Sequence, residues 1–264
     1  MNSSRIFTIF LRQGFLLYRS TFRILGLFYW ATLDLLLWGV LTIYLQKVGG
    51  NNFSFLSAIL GGVVLVAFFT RIIQGISVSF MEDVWARNFL NLFASPLSVP
   101  EYMAGLILVS VAESVVSLAF VSFLAWLLFH YSIFQFGLLL IPFITILFLF
   151  GWAVGIFTTA FVLRHGPSAE MFVWSIPVIL TPLSAVFYPV SALPKTLQYI
   201  AWAVPTSRIF EGMRAIVLHG AIDPEQLILA LALSLIYFFA AYYFLWRSYR
   251  FVLRRGIFAR FMTD

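Results

Sequence analysis

The sequence contains no cysteine and few charged side chains. Without cysteine, the chain can form no disulfide, no thiolate zinc site and no cysteine nucleophile. Charged residues make up 10% of the chain, whereas a soluble domain carries roughly 25%. Because a surface that faces water must be covered with polar side chains, this shortage indicates that lipid surrounds most of the chain.

The usual signatures of catalysis are absent as well. The sequence has no GxxxxGK[ST] phosphate-binding loop, so this chain does not hydrolyse ATP by that route. It also has no HExxH zinc motif and no credible Ser-His-Asp arrangement. The histidines, His130, His165 and His219, are far apart and lack the spacing of metal ligands. We therefore expect neither enzymatic activity nor a cofactor or metal on this chain.

What the sequence does contain is long apolar runs. Hydrophobic residues make up 62% of the 264 residues. A helix of about 20 apolar residues, rising about 1.5 Å per residue, is long enough to cross a bilayer. The runs predict an all-α integral membrane protein that forms one transmembrane domain over residues 1–264. Six transmembrane helices are expected, near residues 25–45, 56–80, 102–129, 137–163, 170–190 and 226–246.

The basic residues indicate how the chain is oriented in the membrane. A net charge of +6 could suggest a nucleic-acid partner, but the charges lie at the chain ends and beside apolar runs, so no nucleic acid is expected. With the N-terminus inside, eleven basic residues fall in inner segments and four in outer ones, which predicts two cytoplasmic termini in the cell (inner) membrane. The inner set is Arg5, Arg12, Arg19, Arg23, Arg87, Arg164, Arg247, Arg250, Arg254, Arg255 and Arg260. The outer set is Lys47, Lys195, Arg208 and Arg214.

The first 23 residues have the pattern of an amphipathic helix. Arg5, Arg12 and Arg19 recur every seven residues and therefore stay on one helical face, while apolar residues fill the rest. This pattern predicts a helix over residues 1–23 that lies in the headgroup layer, with its arginines toward lipid phosphates. A cleaved signal peptide is disfavoured, because its basic residues would precede an apolar core instead of spreading through the segment.

The first inner loop, residues 81–97, is predicted to contain a short amphipathic helix. Trp85, Phe89 and Leu92 follow i, i+4, i+7 spacing, which places them in one apolar stripe. Its polar side consists of Glu82, Asp83, Arg87 and Asn88. On spacing alone, the helix is either a contact surface for a partner or a surface helix that only joins two spans.

The start of the third span carries a helix-start signal. Pro96 is expected to end the loop helix, and Ser98-Val99-Pro100-Glu101 comes next as a capping-box pattern with proline in the first turn. This signal predicts that the third membrane helix begins immediately after Ser98.

The outer segment, residues 190–225, is too long for a simple turn and too apolar for a free loop. Pro194 and Pro205 bracket roughly ten residues, and a helix of that length, about 16 Å, cannot cross a bilayer. We expect the segment to dip into the outer leaflet and return, buried against protein, because irregular backbone is not tolerated in lipid. An interfacial helix resting on the outer surface is the alternative.

Three charged residues fall inside predicted spans, where they are costly and mark either function or a buried pair. Asp34, Arg71 and Glu113 are expected at a similar depth, so the sequence predicts that Asp34 or Glu113 pairs with Arg71. Gln74, one helical turn from Arg71, is expected to complete this network. Such a pair serves either helix packing, which we favour, or a proton or substrate relay.

Three segments together resemble a known family. The first is the loop from Glu82 to Leu97 with Glu101-Tyr102 after it, and the second runs from Leu183-Ser184 to Pro194. The third is Pro205-Thr206-Ser207-Arg208, with Glu211 and Arg214 shortly after. In this order they resemble the membrane-spanning permease subunit of a type-2 ATP-binding-cassette (ABC) exporter. The resemblance implies an outer re-entrant signature made of Pro189, Pro194, Pro205, Arg208, Glu211 and Arg214.

The resemblance also implies partners and roles. Two copies of this chain would bind two copies of a cytoplasmic ABC ATPase, which holds ATP and Mg²⁺, and residues 1–23 would be the family's elbow helix. The substrate would be hydrophobic, lipid-linked or a glycan, moved out of the cytoplasm or the inner leaflet. The residues implied to couple to the ATPase are Glu82, Trp85, Arg87, Phe89 and Leu92, with Arg164 and His165 as a minor second contact.

Two other classes of protein are compatible with a multi-span chain. An ion-coupled secondary transporter would use Asp34, Arg71 and Glu113, but it predicts Gly/Pro-broken spans at paired positions in two halves, which the sequence does not show. A membrane-embedded enzyme would gather polar residues at one membrane face, whereas here they are scattered.

Overall fold

The computed structural model describes residues 2–49, 56–88, 91–92 and 95–255. In these ranges the chain folds into α-helices joined by turns and short 3₁₀ segments, without a β-strand. The helices are α1 (Ser3–Arg19), α2 (Thr21–Gly49), α3 (Leu56–Trp85), α4 (Val99–Phe129), α5 (Leu140–His165), α6 (Met171–Leu183), α7 (Lys195–Ala203), α8 (Pro205–His219) and α9 (Pro224–Arg255). The 3₁₀ segments are Ile133–Leu139, Pro167–Glu170 and Val190–Ala192.

The all-helical, multi-span architecture predicted from the apolar runs is confirmed. Within the described ranges, five segments are long and apolar enough to cross a membrane, namely Thr21–Val48, Ser57–Trp85, Val99–Phe129, Ile133–His165 and Pro224–Arg255. They correspond to α2, α3, α4, α5 with its preceding 3₁₀ turn, and α9.

The sixth predicted span, residues 170–190, takes a different form. Its helix α6 has 13 residues, about 20 Å of rise, which is shorter than the apolar thickness of a bilayer. Pro177 and Pro182 lie inside this helix, and proline removes backbone donors from a helix. The chain then turns at Ala185, whose φ is 51°. By helix length alone, the described residues therefore do not supply a sixth span.

Helix α3 is the centre of the bundle. It packs against α2, α4, α5, α6 and α8, and Val63, Ile72 and Ile76 along its length have no exposed surface. Most of its surface is buried and apolar. This apolar surface is interrupted by one partly exposed stripe, which consists of Ala67, Arg71, Gln74 and Val78. Any displacement of α3 is consequently transmitted to five neighbouring helices.

Small residues allow the helices around α3 to approach closely. A Cβ on Gly75 of α3 would lie 2.6 Å from the Cα of Ser110 in α4, and a Cβ on Gly151 of α5 would lie 2.6 Å from the Ile72 side chain. Such close contacts between small residues are typical of helix packing inside membranes, where dispersion forces act in place of the hydrophobic effect. The indole of Trp152 adds a hydrogen bond of 3.0 Å to the Ser110 hydroxyl.

The predicted start of the third span is confirmed. Helix α4 begins at Val99, and the Glu101 carboxylate accepts a hydrogen bond of 3.0 Å from the backbone N–H of Ser98. Pro100 lies in the first turn, where its missing N–H is not needed for helical hydrogen bonds.

The outer segment folds into two helices that begin at its two prolines. Pro194 caps α7 and Pro205 is the first residue of α8. Phe210 and Met213 of α8 are fully buried, and the Met213 sulfur lies 3.0 Å from where a Cβ on Gly61 would be. Helix α8 is therefore buried against α3, whereas α7 has exposed side chains such as Tyr199. The predicted dip into the outer leaflet stays a prediction.

We predict that Gly75→Val destabilises the bundle, because its side chain would collide with the backbone of Ser110. Overpacking of this kind costs about 1–3 kcal/mol, which is measurable as a lower unfolding temperature of the chain in detergent. Gly14→Val in α1 is the matched control, since a Cβ on Gly14 meets nothing within 4 Å. Equal unfolding temperatures for the two variants would show that α3 and α4 are not packed as described.

Candidate functional site

Helix α1 lies across one end of the bundle, here called the α1 end. Its N-cap residue Asn2 accepts a hydrogen bond of 3.0 Å from the Ser4 N–H. Ile9 and Gln13 are buried against the bundle, and a stripe of apolar side chains on the other face is exposed. That stripe consists of Phe7, Leu11, Phe15 and Tyr18. The amphipathic helix predicted for this segment is therefore present.

Two of the three arginines of α1, Arg5 and Arg12, contact acidic side chains of the bundle. Arg12 makes a bidentate ion pair with Asp83 at the end of α3, and the Tyr102 hydroxyl of α4 donates a hydrogen bond of 2.7 Å to the same carboxylate. The Asp83 side chain has 0% exposed surface, so Arg12 neutralises a buried charge. The hydrogen bonds to Asp83 raise the pKa of Arg12 above its usual value.

Two further ion pairs tie the same region together. Glu101 accepts a hydrogen bond of 2.8 Å from the Asn2 N–H and lies 3.5 Å from the Arg5 guanidinium. Arg23, at the start of α2, lies 2.6 Å from the Glu82 carboxylate. The prediction that the α1 arginines face lipid phosphates is thus wrong for Arg5 and Arg12, because acidic side chains of α3 and α4 lie closer. We call Arg5–Glu101, Arg12–Asp83 and Arg23–Glu82 the anchor pairs.

The loop between α3 and α4 departs from the predicted single helix. Helix α3 continues through Trp85 and is followed by a turn in which Arg87 has a φ of 51°. Helical hydrogen bonding cannot continue through a left-handed residue, so Trp85 and Leu92 do not share one helix. Leu92 packs against the buried core and is not fully exposed. Phe89 lies outside the described residues.

The exposed side chains of this loop lie beside a second loop at the α1 end, which follows α5 and contains the Pro167–Glu170 turn. Trp85 is 48% exposed, and its indole N–H donates a hydrogen bond of 3.1 Å to Glu170 in the Pro167–Glu170 turn. Arg87 is exposed at the turn. The loops that come after α3 and α5 therefore form one continuous surface.

The second loop contributes less than expected. The Arg164 guanidinium stacks over the Phe251 ring of α9 at 4.8 Å, so it is directed toward the bundle. His165 is exposed and bonds through Nδ1 to the Phe161 carbonyl at 2.9 Å. Both residues were predicted to contact the ATPase. His165 is exposed, whereas Arg164 is only partly exposed.

The charged residues inside the spans come together without the predicted ion pair. Nη2 of Arg71 donates hydrogen bonds of 3.0 and 2.9 Å to the carbonyls of Gly26 and Leu27 in α2. Throughout the described part of the chain, neither Asp34 nor Glu113 comes within 4.0 Å of Arg71. The backbone of α2 supplies the acceptors that a carboxylate was expected to supply.

Two cavities meet at Arg71. The first cavity, of about 300 Å³, lies between α2, α3 and α6 and contains Asp34, Arg71 and Gln74. The second cavity, of about 200 Å³, contains Glu113 and extends along α2 and α3 toward the α1 end. The four predicted network residues thus line two adjacent cavities that share Arg71, Gln74 and Trp30.

The predicted outer signature forms a structural cluster. Glu211 of α8 accepts a hydrogen bond from the Val190 N–H and lies 3.2 Å from Arg214, which is almost fully buried. Arg208 stacks over Trp202 at 5.2 Å. Since Pro189 caps the 3₁₀ turn at Val190, these contacts fix the turn against α8.

The order of these features along the chain is that of a known family. The family model described as "ABC-2 type transporter" matches residues 6–218, from α1 through α8. The chain belongs to this family. The resemblance stated from the sequence is therefore confirmed, and the chain is a membrane transport subunit. No curated protein gives a significant match to the chain.

The acidic partners of the α1 arginines were not predicted. The sequence pattern placed Asp83 in the loop helix, Glu101 in a capping box and Tyr102 in a motif. The sequence did contain one signal for this pairing. The α1 segment is rich in basic residues, and two neighbouring acids, Glu82 and Asp83, stand at the end of an apolar run. A pairing over 71 residues of sequence cannot be derived from local spacing.

We predict that Arg12 and Asp83 are energetically coupled. Arg12→Ala should destabilise the chain by about 3–5 kcal/mol, because it leaves a buried carboxylate without its partner. In the double variant with Asp83→Ala that carboxylate is gone, so a double-mutant cycle should give a coupling energy of about 1–3 kcal/mol. Unfolding in detergent measures both quantities.

Arg19→Ala is the control for the loss of an α1 arginine, since Arg19 is exposed in the last turn of α1. It should leave stability within about 0.5 kcal/mol of the original chain. Additive effects of the Arg12 and Asp83 substitutions would contradict the pairing.

Proposed function

We propose that this ABC-2 family member is the permease of an exporter that moves a hydrophobic, lipid-linked or glycan substrate out of the cytoplasm or the inner leaflet. Two copies of the chain and two copies of a separate ABC ATPase would form the complex. ATP and Mg²⁺ belong to the ATPase. The observation that carries this proposal is the surface at the α1 end, where exposed Trp85 and Arg87 stand directly on the central helix α3.

This arrangement suits the transmission of force from a cytoplasmic partner. Helix α3 is unbroken from Leu56 to Trp85 and contacts five other helices. A partner that pushes on Trp85 or Arg87 therefore displaces α3 as a rigid body. Through Asp83, the same displacement reaches α1 and α4, because Arg12 and Tyr102 share that carboxylate. The permease would thus change its packing without carrying out chemistry.

The exposed position of Asp34 supports a second copy. Asp34 lies midway along α2, and its side chain is exposed on the surface of the isolated chain. Asp34 lines the first cavity and is exposed where that cavity reaches the surface, and contact of a carboxylate with hydrocarbon there costs several kcal/mol, roughly 2.5–3.5 on the insertion scale. A second copy that encloses an aqueous path beside α2 would remove this cost. The alternative of an ion-coupled secondary transporter has less support, because Arg71 is bonded to carbonyls and not to the acids it would exchange protons with.

We also propose that α6 and the outer segment together complete a sixth crossing. The α6 helix starts beside Glu170, which contacts Trp85 at the α1 end, and the buried α8 packs near Gly61 toward the opposite end of α3. Protein contacts around α6 and α8 would compensate for a helix that is too short to cross alone. Both termini would then be cytoplasmic, in the inner membrane, with α1 as an elbow helix at its surface.

Single-cysteine labelling tests this topology without background, because the chain contains no cysteine. We expect Tyr199→Cys, at a position 79% exposed in α7, to react with a membrane-impermeant maleimide in intact cells. Ser168→Cys, exposed in the turn before α6, should react only after permeabilisation. Reaction of both positions from the same side would exclude a crossing between them.

The coupling proposal predicts a charge-sensitive contact at Arg87. Arg87→Glu should reduce the amount of a co-expressed P-loop ATPase that purifies with the chain by about tenfold, and substrate-dependent ATP hydrolysis with it, because a charged contact contributes about 1.4 kcal/mol or more. Lys195→Glu makes the same charge change at an exposed position on the opposite end of the bundle. It should leave retention unchanged. If Arg87→Glu retains the ATPase as well as Lys195→Glu does, the α1 end is not the docking surface.

A further inference from the structure

The position of Arg71 at the junction of the two cavities is not explained by helix packing. Arginine has five N–H donors, and the carbonyls of Gly26 and Leu27 occupy only those on Nη2. The described residues supply no hydrogen bond to Nε or Nη1. The backbone of α2 therefore fixes the guanidinium while three donors remain for another group.

A cation in this position calls for an acidic partner. Arg71 lies midway along α3, where an unpaired guanidinium is unfavourable in a membrane. Its planar donors fit the oxygens of a phosphate or a carboxylate. Neither Asp34 nor Glu113 is within ion-pair distance of Arg71 among the described residues. Glu113 acts on Arg71 only through space, so three N–H donors of Arg71 remain for the oxygens of a ligand.

The walls of the first cavity indicate what else the ligand carries. Most of the lining is apolar, including the stacked rings of Trp38 and Phe187, whose centroids are 3.7 Å apart. Its volume of about 300 Å³ is at the lower end of the range for ligand pockets, about 300–1,000 Å³. Asp34 lines the same space and accepts hydrogen bonds, so a ligand with acidic oxygens alone would be repelled. A head group with an acidic oxygen and a hydroxyl or ammonium donor could accept hydrogen bonds from Arg71 and donate one to Asp34.

The second cavity indicates the side from which a ligand can reach this site. It runs from Arg71 past Glu113 to Arg23 and Glu82 at the α1 end, and Trp174 of α6 completes its wall. A polar head group can move along it while its apolar tail stays beside α2 and α6. Entry is therefore from the leaflet that contacts α1.

We propose that Arg71, with Asp34 and Gln74, binds the head group of an amphiphile that carries an acidic oxygen and a hydroxyl or ammonium donor. This narrows the substrate class and rests on the proposed function as a permease. Phosphatidylglycerol has the required head group, diacylglycerol has the same tails without the phosphate, and inorganic phosphate has the anion without tails.

The test measures binding of these three probes to the purified full-length chain in detergent, by the shift of its unfolding temperature with probe concentration. We expect phosphatidylglycerol to bind about tenfold or more tighter than diacylglycerol, since a charge-assisted hydrogen bond contributes about 1.5–3 kcal/mol. Equal binding of those two lipids would overturn the proposal. An equal effect of inorganic phosphate would assign the site to a free anion and overturn the amphiphile.

Variants of the chain locate the binding. Arg71→Gln should remove the preference for phosphatidylglycerol, and Arg71→Lys, which keeps the charge but loses the planar donors, should retain part of it. Arg19→Gln, at an exposed arginine of α1, should retain all of it. A loss of preference in Arg19→Gln equal to that in Arg71→Gln would show that surface charge is responsible. If Arg71→Gln does not fold, Arg71→Lys and the comparison of probes on the original chain still decide.

These measurements need no ATPase. If the chain prefers phosphatidylglycerol but never retains an ATPase, the binding site stands and the coupling proposal fails. If the chain retains an ATPase but binds the two lipids equally, the coupling proposal stands and the binding site fails.

Discussion

The buried carboxylate of Asp83 is the constraint on which the α1 end depends. A charge without exposed surface is tolerated only when it is paired and hydrogen-bonded, and here its partners come from two different helices. Arg12 brings α1, and the Tyr102 hydroxyl brings α4. The end of α3 is thereby held between its neighbours, which fixes the direction in which the next loop leaves the bundle.

The same carboxylate links two features of the α1 end. One is α1 with its exposed apolar stripe, and the other is the exposed loop that stands on the central helix. The anchor pairs Arg5–Glu101 and Arg23–Glu82 repeat this link on either side of Asp83. A displacement of the loop is consequently transmitted to α1 as well.

How far the sequence predicts the structure depends on the range of the interactions involved. Apolar run length is a local property, so the five long spans were predictable. The start of α4 was predictable as well, because the capping residues Ser98 and Glu101 are neighbours in sequence. The shortness of α6 results from Pro177 and Pro182, which were visible but whose effect on crossing depends on the surrounding protein.

The candidate site was harder to predict than the fold. Asp34, Arg71, Gln74 and Glu113 were identified because charge inside an apolar run is a local signal. Their geometry was not predictable, because the carbonyls of Gly26 and Leu27 are invisible to a side-chain pattern and bind Arg71 instead of an acid. Likewise, the helical spacing of Trp85 and Leu92 did not reveal the left-handed turn at Arg87.

The separation of Arg12 and Asp83 along the chain has a consequence for biosynthesis. Asp83 leaves the ribosome 71 residues after Arg12, which corresponds to about 4–14 s at a synthesis rate of about 5–20 residues per second. During that interval Arg12 lacks the buried carboxylate that it binds in the folded chain. The arginine face of α1 is therefore open to other anions at the nascent stage, and Arg12 becomes committed to Asp83 only when α3 has been made.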